Sequence, residues 1–251
     1  FTTSSFDIFF LETIMFMLLG ATVVLADETE RKNPIKIRKI IENNRVDALQ
    51  MTPSRFKMLM MVDERLQSMK NMKIIMLGGE AFPQNTLKAL QLQCDARIFN
   101  MYGPTETTIW SSIADLTVED EINIGNPIDN TEFYILDDNL CEVPVGEEGE
   151  ICIAGKGLAR GYRNSEELTD KAFVYPESLG GKRIYKTGDR GRFDGYVYYC
   201  HGRKDNQIKV NGYRIEPEEI EHHVNCIEGI KDSVVLLSDK NALTVLYTST
   251  T

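Results

Sequence analysis

The stretch Asn100-Met-Tyr-Gly-Pro-Thr-Glu-Thr-Thr108 combines an aromatic ring, a turn signal, hydroxyl groups and a carboxylate within nine residues. Tyr102 offers a flat face for a purine base, and Asn100 carries an amide that can bond an exocyclic amine. Gly103-Pro104 predicts a tight turn, because glycine tolerates unusual dihedral angles while proline fixes φ and removes a donor. The stretch therefore has the side chains that a nucleotide site needs.

The residues after the turn suit phosphate and metal chemistry. Thr105 and Thr107 carry hydroxyls for phosphate oxygens, and Glu106 supplies a hard oxygen ligand of the kind that Mg²⁺ prefers beside substrate phosphates. The same letters also fit an ordinary strand, a Gly-Pro turn and a Thr/Glu helix cap. On these residues alone the two interpretations are about equally supported.

Upstream of this stretch, strand-like and helix-like segments alternate. The predicted strands are Ala21–Leu25, Asp47–Met51, Lys73–Leu77 and Arg97–Met101. The predicted helices are Pro34–Asn43, Pro53–Val62 and Gln84–Leu92. The apolar run from Phe6 to Ala26 predicts a buried helix that leads into the first strand. This βαβα order predicts an α/β fold with a mostly parallel sheet and helices on both faces.

Chemically useful residues recur where the predicted strands end. Gln50 lies at the end of one strand, Gly78-Gly79-Glu80 follows the next, and Tyr102-Gly103 follows the last. Ligands of open α/β sheets bind outside the carboxyl ends of the strands. We therefore expect these three positions to line one crevice.

Beyond residue 125 the helical periodicity is nearly lost. Short strands such as Glu132–Leu136 and Glu150–Ala154 alternate with turns, and a hairpin is predicted near Asp194-Gly195, which indicates a β-rich, barrel-like region. A charged unit follows. Its predicted elements are a strand at Gln207–Val210, a turn at Asn211-Gly212, a helix at Glu216–Val224 and strands at Ser233–Leu237 and Leu243–Tyr247.

Composition narrows the classes of function. A net charge of −10 over 251 residues argues against a nucleic-acid or anionic-membrane surface, since both need clustered Lys and Arg. The apolar run near the start is interrupted by Asp7, Glu12 and Gly20, which disfavours a signal peptide or membrane span. Five scattered cysteines form no C-x-x-C pair, so a reducing cytoplasm fits best.

Five segments in order resemble the adenylation domains of nonribosomal peptide synthetases, which belong to the adenylate-forming superfamily with acyl-CoA synthetases and luciferases. Besides Asn100–Thr108 they are Phe6-Asp7, Gly149–Tyr162 (GEICIAGKGLARGY), Tyr185–Arg190 (YKTGDR), and Gly202–Gln207 (GRKDNQ) running into Gly212–Glu221 (GYRIEPEEIE). The resemblance implies an α/β part of the large subdomain at 1–125, the β-rich subdomain at 126–204, and the start of a small α+β lid at 205–251, with a hinge near Asp205.

The resemblance also implies a two-step reaction that uses ATP and Mg²⁺. A carboxylate attacks the α-phosphate of ATP, pyrophosphate leaves, and an acyl-adenylate forms. The thiol of a phosphopantetheine arm on a peptidyl carrier protein domain then takes the acyl group. The implied partners are a small amino acid, the carrier domain and neighbouring synthetase domains, with no nucleic acid and no membrane.

Carried over residue by residue, the resemblance implies a nucleotide site. Asn100 and the backbone near Gly79 and Met101 would hold adenine, Tyr102 would stack on it, and Gly103 would form the turn beneath. Thr105 would meet the α-phosphate and Glu106 would hold Mg²⁺, so both would act in catalysis. Asp189 would chelate the ribose hydroxyls, although it also fits a turn aspartate, and Arg203 would contact ribose or phosphate, or else form a structural ion pair.

The resemblance further implies an amino-acid pocket. Asp7 would be a buried carboxylate that pairs with the α-ammonium group, which favours amino acids over fatty or aryl acids. The other lining positions would be Ile8, Leu11, Gln50, Met76, Gly78, Met101, Ile109 and Trp110. None of them is charged, and Trp110 with two methionines would fill most of the space. We expect glycine as the substrate and alanine as the second choice, although the same side chains would also suit an ordinary core.

Two features keep other interpretations open. The family's Ser/Thr/Gly-rich phosphate loop and its late lysine have no counterpart in this sequence, so we expect a fragment that adenylates poorly or not at all by itself. A freestanding D-alanine–carrier protein ligase shares the chemistry, and Glu218–His223 is similar to that group. A truncated, non-catalytic nucleotide-binding or scaffold fragment is the remaining alternative.

Overall fold

The structure, a computed structural model, describes residues 5–205, 207–210, 213–238 and 242–249. The predicted turn at Asn211-Gly212 lies outside these residues. Internal contacts divide the chain into two compact units, Phe1–Gly202 and Arg203–Thr251. Among the described residues, no helix is long and apolar enough to cross a membrane.

The first unit begins with a five-stranded sheet in the order β1-β2-β3-β4-β5. Its strands are β1 (Ala48–Met51), β2 (Ile74–Gly78), β3 (Arg97–Tyr102), β4 (Ser112–Asp115) and β5 (Asn126–Pro127). The pairs β1/β2 and β2/β3 are parallel, whereas β4 and β5 add antiparallel pairs. The predicted helix-flanked α/β sheet is confirmed, with antiparallel strands at one edge.

Helices connect the parallel strands, and their ends follow from local sequence. After three short helical pieces, α1 (Ile8–Phe10), a π-helical turn (Leu11–Met15) and α2 (Phe16–Leu18), come α3 (Glu28–Arg31), α4 (Pro34–Asn44), α5 (Pro53–Val62) and α6 (Gln84–Gln93). Asn33 caps α4 and Thr52 caps α5 through their side-chain oxygens, and each cap precedes a proline at the first helical position.

The main hydrophobic core lies on one face of this sheet. In β2, Ile75 and Leu77 point into it and are fully buried, whereas the alternating residues Met76 and Gly78 face the other side. Cross-strand register places Gln50 beside Met76 and Gly78 beside Met101. Four of the residues predicted to line a pocket therefore share the sheet face opposite the core: Gln50, Met76, Gly78 and Met101.

The prediction for the first 26 residues is wrong in two respects. The helical pieces at 8–18 are not buried as a whole, because Leu18 is 77% exposed and Phe10 is 53% exposed. Ala21–Leu25 is not a strand, since β1 is the edge of the described sheet and no described strand pairs with this segment. An extended segment without a hydrogen-bonding neighbour has nothing to fix it as a strand.

A half-barrel sheet follows in the order β10-β9-β7-β6, with β8 paired to β9. Its strands are β6 (Thr131–Leu136), β7 (Glu148–Gly155), β8 (Phe173–Val174), β9 (Ile184–Phe193) and β10 (Tyr198–Arg203), and α7 (Glu166–Ala172) precedes β8. Short 3₁₀ turns lie at Gln67–Asn71, Thr105–Thr107 and Glu177–Leu179. The β-rich, barrel-like region predicted after residue 125 is confirmed.

The second unit is a small α+β arrangement. The hairpin β11 (Ile208–Val210) and β12 (Tyr213–Ile215) is followed by α8 (Pro217–Asn225), and then by the antiparallel pair β13 (Ile230–Leu237) and β14 (Leu243–Ser249). Val235 and Ser233 are buried, and Ser233 Oγ donates a hydrogen bond to the Glu221 carbonyl in α8. The predicted helix and strands are all present.

Candidate active site

The carboxyl ends of β1, β2 and β3 meet at one edge of the first sheet, as expected for parallel neighbours. Gly79 follows β2 with φ at +83°, a conformation that favours glycine. Gly103 follows β3, and a Cβ there would lie 2.6 Å from the carbonyl oxygen of Ile109. Glycine at 103 therefore lets the 109–111 backbone pack directly against the end of β3.

Tyr102 and Asp189, far apart in sequence, meet at this edge. The Tyr102 hydroxyl donates a 2.6 Å hydrogen bond to Asp189 Oδ2. Burial and the Asp189 charge raise the pKa of Tyr102 well above its usual value, so the phenol keeps its proton and stays a donor. Asp189 is itself buried in β9, where its N–H donates to Thr187 Oγ1 at 2.9 Å.

Asn100 is anchored on the core side of the same strand end. Its side chain is buried, and Nδ2 donates a 2.7 Å hydrogen bond to the Asn123 carbonyl. Asn123 in turn accepts from the Gly125 N–H through Oδ1 at 2.9 Å. These bonds hold the Asn100 amide in one orientation, in which its NH₂ group donates to the Asn123 carbonyl.

The turn after β3 separates exposed from buried hydroxyls. Thr105 is exposed. Thr107 is buried, and its hydroxyl donates to the Pro104 carbonyl at 3.0 Å and lies 2.5 Å from Ser111 Oγ. Thr107 therefore stabilises the turn from inside, while Thr105 faces outward.

Glu106 is a buried carboxylate held by residues of the loop that follows β7. Its Oε1 accepts a 2.6 Å hydrogen bond from the Tyr162 hydroxyl, and its backbone carbonyl accepts from the Ala159 N–H at 2.8 Å. No cluster of three or more His, Cys, Asp or Glu side chains suited to a metal occurs among the described residues. Because Mg²⁺ is usually held by one or two carboxylates plus substrate phosphates and water, a single oriented carboxylate fits that ion.

On the opposite face of the sheet lie the residues of the predicted amino-acid pocket. Asp7 is half-buried, not buried as predicted. Its Oδ1 accepts from the Ile8 N–H at 2.8 Å, and Oδ2 accepts from the Ile109 N–H at 3.3 Å. Ile109 has φ at +66°, directly after Thr108 at +68°, which is strained for β-branched residues. The structure thus brings Asp7 next to a strained loop that is remote in sequence.

Trp110 lies against the end of β2. It is 5% exposed, and a Cβ added at Gly78 would lie 2.7 Å from Trp110 Cη2 and 2.4 Å from the Met101 carbonyl oxygen. Met76 is half-buried beside Gln50 in the register. Ile8 and Leu11 are half-buried on the helical turns that follow Asp7.

In the second unit, Arg203 and Asp205 form a two-point ion pair. Arg203 Nε lies 2.6 Å from Asp205 Oδ1, and Nη2 lies 2.6 Å from Oδ2. Asp205 Oδ1 also accepts from the Gln207 N–H at 3.2 Å. The structural ion pair that the sequence left open for Arg203 is therefore present.

Three contacting residues were not predicted from the sequence. Tyr162 holds Glu106 and Asn123 holds Asn100, while Glu12 accepts a 3.2 Å hydrogen bond from Gln50 Nε2. Tyr162 closes the GEICIAGKGLARGY segment, which was the available signal. Nothing in the local sequence of Asn123 or Glu12 indicates its distant partner.

Comparison with known proteins identifies the family. The model of the AMP-binding enzyme family matches residues 1–163. Gramicidin S synthase 2 of Aneurinibacillus migulanus is 40% identical over 242 residues, which is 95% of this chain and 5% of that protein. The dimodular nonribosomal peptide synthase of Bacillus subtilis (strain 168) is 42% identical over 227 residues, or 88% of this chain and 9% of that protein.

Solved structures agree with this assignment. PA1221, a nonribosomal peptide synthetase protein containing adenylation and carrier (PCP) domains, superposes with a TM-score of 0.87 at 30% identity, covering 99% of this chain and 52% of that one. The four-domain synthetase AB3403, bound to AMP and glycine, gives 0.75 at 35% identity, covering 97% of this chain and 19% of that one. The chain therefore belongs to the AMP-binding enzyme family, among the adenylation domains of nonribosomal peptide synthetases.

Proposed function

We propose that this chain serves the ATP-dependent activation of an amino acid. A carboxylate oxygen of the amino acid attacks the α-phosphorus of ATP, the bond to pyrophosphate breaks, and an aminoacyl-adenylate forms. The phosphopantetheine thiol of a peptidyl carrier protein domain then attacks the acyl carbon, and AMP leaves. Positioning and charge neutralisation dominate chemistry of this kind.

The observation that carries the proposal is the Tyr102–Asp189 hydrogen bond of 2.6 Å at the ends of the strands. It places a ring suited to stacking on adenine beside a carboxylate suited to both ribose hydroxyls. The Asn100 amide NH₂ group donates to the Asn123 carbonyl, so the amide oxygen is the atom oriented to accept from the adenine amine. The backbone at Gly79 and Met101 completes the adenine contacts, and Gly103 lets the turn close beneath them.

Thr105 and Glu106 take the catalytic roles in this proposal. Thr105 is exposed at the turn and contacts the α-phosphate, and the buried carboxylate of Glu106 holds Mg²⁺. The ion, when bound, neutralises phosphate charge. Arg203 contributes to ribose or phosphate binding only when its bond to Asp205 opens, and Asp205 acts as the hinge of the lid.

The pocket lined by Asp7, Gln50, Gly78, Met101 and Trp110 selects the amino acid. Asp7 pairs with the α-ammonium group, and the indole pressed against Gly78 limits the space for a side chain. We assign glycine as the substrate, with alanine second. The structure of AB3403, which is bound to AMP and glycine, supports a small amino acid as the class of substrate. Ile8, Leu11, Met76 and Ile109 complete the lining.

A peptidyl carrier domain and neighbouring synthetase domains are the partners in this account, and the cytoplasm is the compartment. A D-alanine–carrier ligase or a non-catalytic nucleotide-binding fragment would share the same nucleotide site. D-alanine as the preferred substrate would favour the first of these alternatives. Nucleotide binding without any turnover in a complete synthetase would favour the second.

The experiment is a calorimetric titration of the chain with AMP and with 2′,3′-dideoxy-AMP. Wild type is expected to bind AMP more tightly, because Asp189 accepts from both ribose hydroxyls. Asp189→Ala is expected to remove the discrimination, a loss of about 1.5–3 kcal/mol for hydrogen bonds to a charged group. The exposed Asp129→Ala variant controls for the loss of one negative charge. Equal preference for AMP in wild type and Asp189→Ala would overturn the ribose assignment.

A further inference from the structure

A hydrogen-bonded chain runs from Glu12 through Gln50 to Trp110, and the last two of these residues line the proposed amino-acid pocket. Glu12 Oε1 accepts from Gln50 Nε2 at 3.2 Å, and Gln50 Oε1 accepts from Trp110 Nε1 at 3.4 Å. Gln50 is 8% exposed and Trp110 is 5% exposed, so water has little access to the inner bond. The three side chains come from the π-helical turn, from β1 and from the loop that follows the Thr105–Thr107 turn.

The donor and acceptor chemistry gives this hydrogen-bonded chain of side chains a direction. The Trp110 indole can only donate, so Gln50 must present its oxygen to it, and the Gln50 amine must then find an acceptor. The Glu12 carboxylate is an acceptor. A residue at position 12 that cannot accept would leave the Gln50 amide without the partner that fixes its orientation.

The orientation of Gln50 matters because Trp110 has little clearance. A Cβ on Gly78 would lie 2.7 Å from Trp110 Cη2 and 2.4 Å from the Met101 carbonyl oxygen, so there is no free space between these atoms and Gly78. A small rotation of the indole would open room for a larger amino-acid side chain. In the proposed pocket, the position of this ring would set the size limit for a side chain.

We propose that Glu12 is a positioning residue for amino-acid selection, acting through Gln50 on Trp110. The inference rests on the proposed function, since it assigns selectivity to the same pocket. Glu12 does not contact the amino acid in this account. It fixes the Gln50 amide, which holds the indole against Gly78.

The test compares Glu12→Gln, which keeps an oxygen acceptor, with Glu12→Met, whose thioether sulfur is only a weak acceptor. Trp110 is the chain's only tryptophan, so fluorescence of the 251-residue chain reports this ring alone. We expect Glu12→Met to increase acrylamide quenching of Trp110, and Glu12→Gln to resemble wild type. In pyrophosphate exchange by the full-length synthetase, Glu12→Met is expected to lower the preference for glycine over alanine about tenfold.

The exposed Glu64→Met variant controls for loss of a carboxylate. A Gln50→Leu background adds a second check: Glu12→Met should have no further effect on quenching there, because the two residues act through one chain. Unchanged quenching and unchanged preference in a folded Glu12→Met protein would overturn the proposal. Wild type with no preference for glycine would instead refute the glycine assignment, and the quenching data would still decide the role of Glu12.

Discussion

At the scale of single residues, Tyr162 shows how a site is oriented by side chains outside it. Its hydroxyl donates to Glu106 at 2.6 Å, and its ring packs edge-on against Phe173 with centroids 5.9 Å apart. The ring is fixed by this packing, so the hydroxyl holds one carboxylate oxygen in place. The Glu106 carboxylate is thereby oriented before any ligand arrives.

Tyr162→Phe should therefore weaken the use of Mg²⁺ in adenylation without removing it. The expected change is about a tenfold higher Mg²⁺ concentration for half-maximal pyrophosphate exchange, as is usual when a partner of a metal-binding side chain is lost. Tyr134→Phe is the matched control, since Tyr134 donates to the carboxylate of Glu132 in an exposed pair on β6. An unchanged Mg²⁺ dependence in Tyr162→Phe would show that this hydrogen bond does not prepare a metal site.

How much of the site the sequence predicts depends on whether a residue's partner is local. Chemical type and position at a strand end were enough to expect Gln50, Gly78 and Tyr102 at one edge, because parallel strands bring their ends together. The contacts of Tyr162 with Glu106 and of Glu12 with Gln50 depend on chain packing over 56 and 38 residues. Local sequence carries no signal for such pairs.

At the scale of elements, boundaries were predictable where a cap or a proline fixes them. The predicted Pro53–Val62 helix has those bounds in the structure, with Thr52 as its cap. The apolar run and the alternating pattern predict a strand at Ala21–Leu25, which is absent because a strand also requires a paired neighbour. Whether a segment forms a strand therefore depends more on the neighbouring strands of the sheet than on the segment's own sequence.

Asp63 ends α5 and organises the turn that follows it. Its two oxygens accept from the Gln67 N–H at 2.9 Å and the Ser68 N–H at 2.8 Å. Burial by itself would raise the pKa of Asp63, but the hydrogen bonds with Ser68 and Gln67 outweigh it and lower the pKa below its usual value. The ionised carboxylate is thus favoured in the folded state.

Asp63→Ala is expected to lower the free energy of unfolding by about 1–2 kcal/mol at neutral pH, as for loss of a helix cap. The folded pKa lies below the unfolded one, so this stabilisation is complete above the unfolded pKa and is lost as pH falls through the folded pKa. Urea denaturation at pH 7 and at pH 3.5 measures it, with Asp129→Ala as an exposed control. A difference between wild type and Asp63→Ala that does not shrink in acid would contradict the charge assignment.

At the scale of the whole molecule, the chain has a large α/β unit with a half-barrel and a small α+β unit that begins at Arg203. Apart from Arg203, the residues of the proposed nucleotide site and of the amino-acid pocket lie within the first unit, on opposite sides of the β3 strand end. The domain boundaries at 125 and 204 and the hinge at Asp205 stay predictions. Fold class was predictable from the periodicity of the sequence.

The most direct test of the central claim is amino-acid-dependent pyrophosphate exchange with ATP by the full-length synthetase. The panel contains glycine, alanine, D-alanine, serine, phenylalanine and glutamate. We expect the highest kcat/KM for glycine, a lower value for alanine, and none above background for phenylalanine or glutamate. Preference for a bulky or charged amino acid would contradict the pocket formed by Asp7, Gly78 and Trp110, and no exchange with any amino acid would contradict amino-acid activation itself.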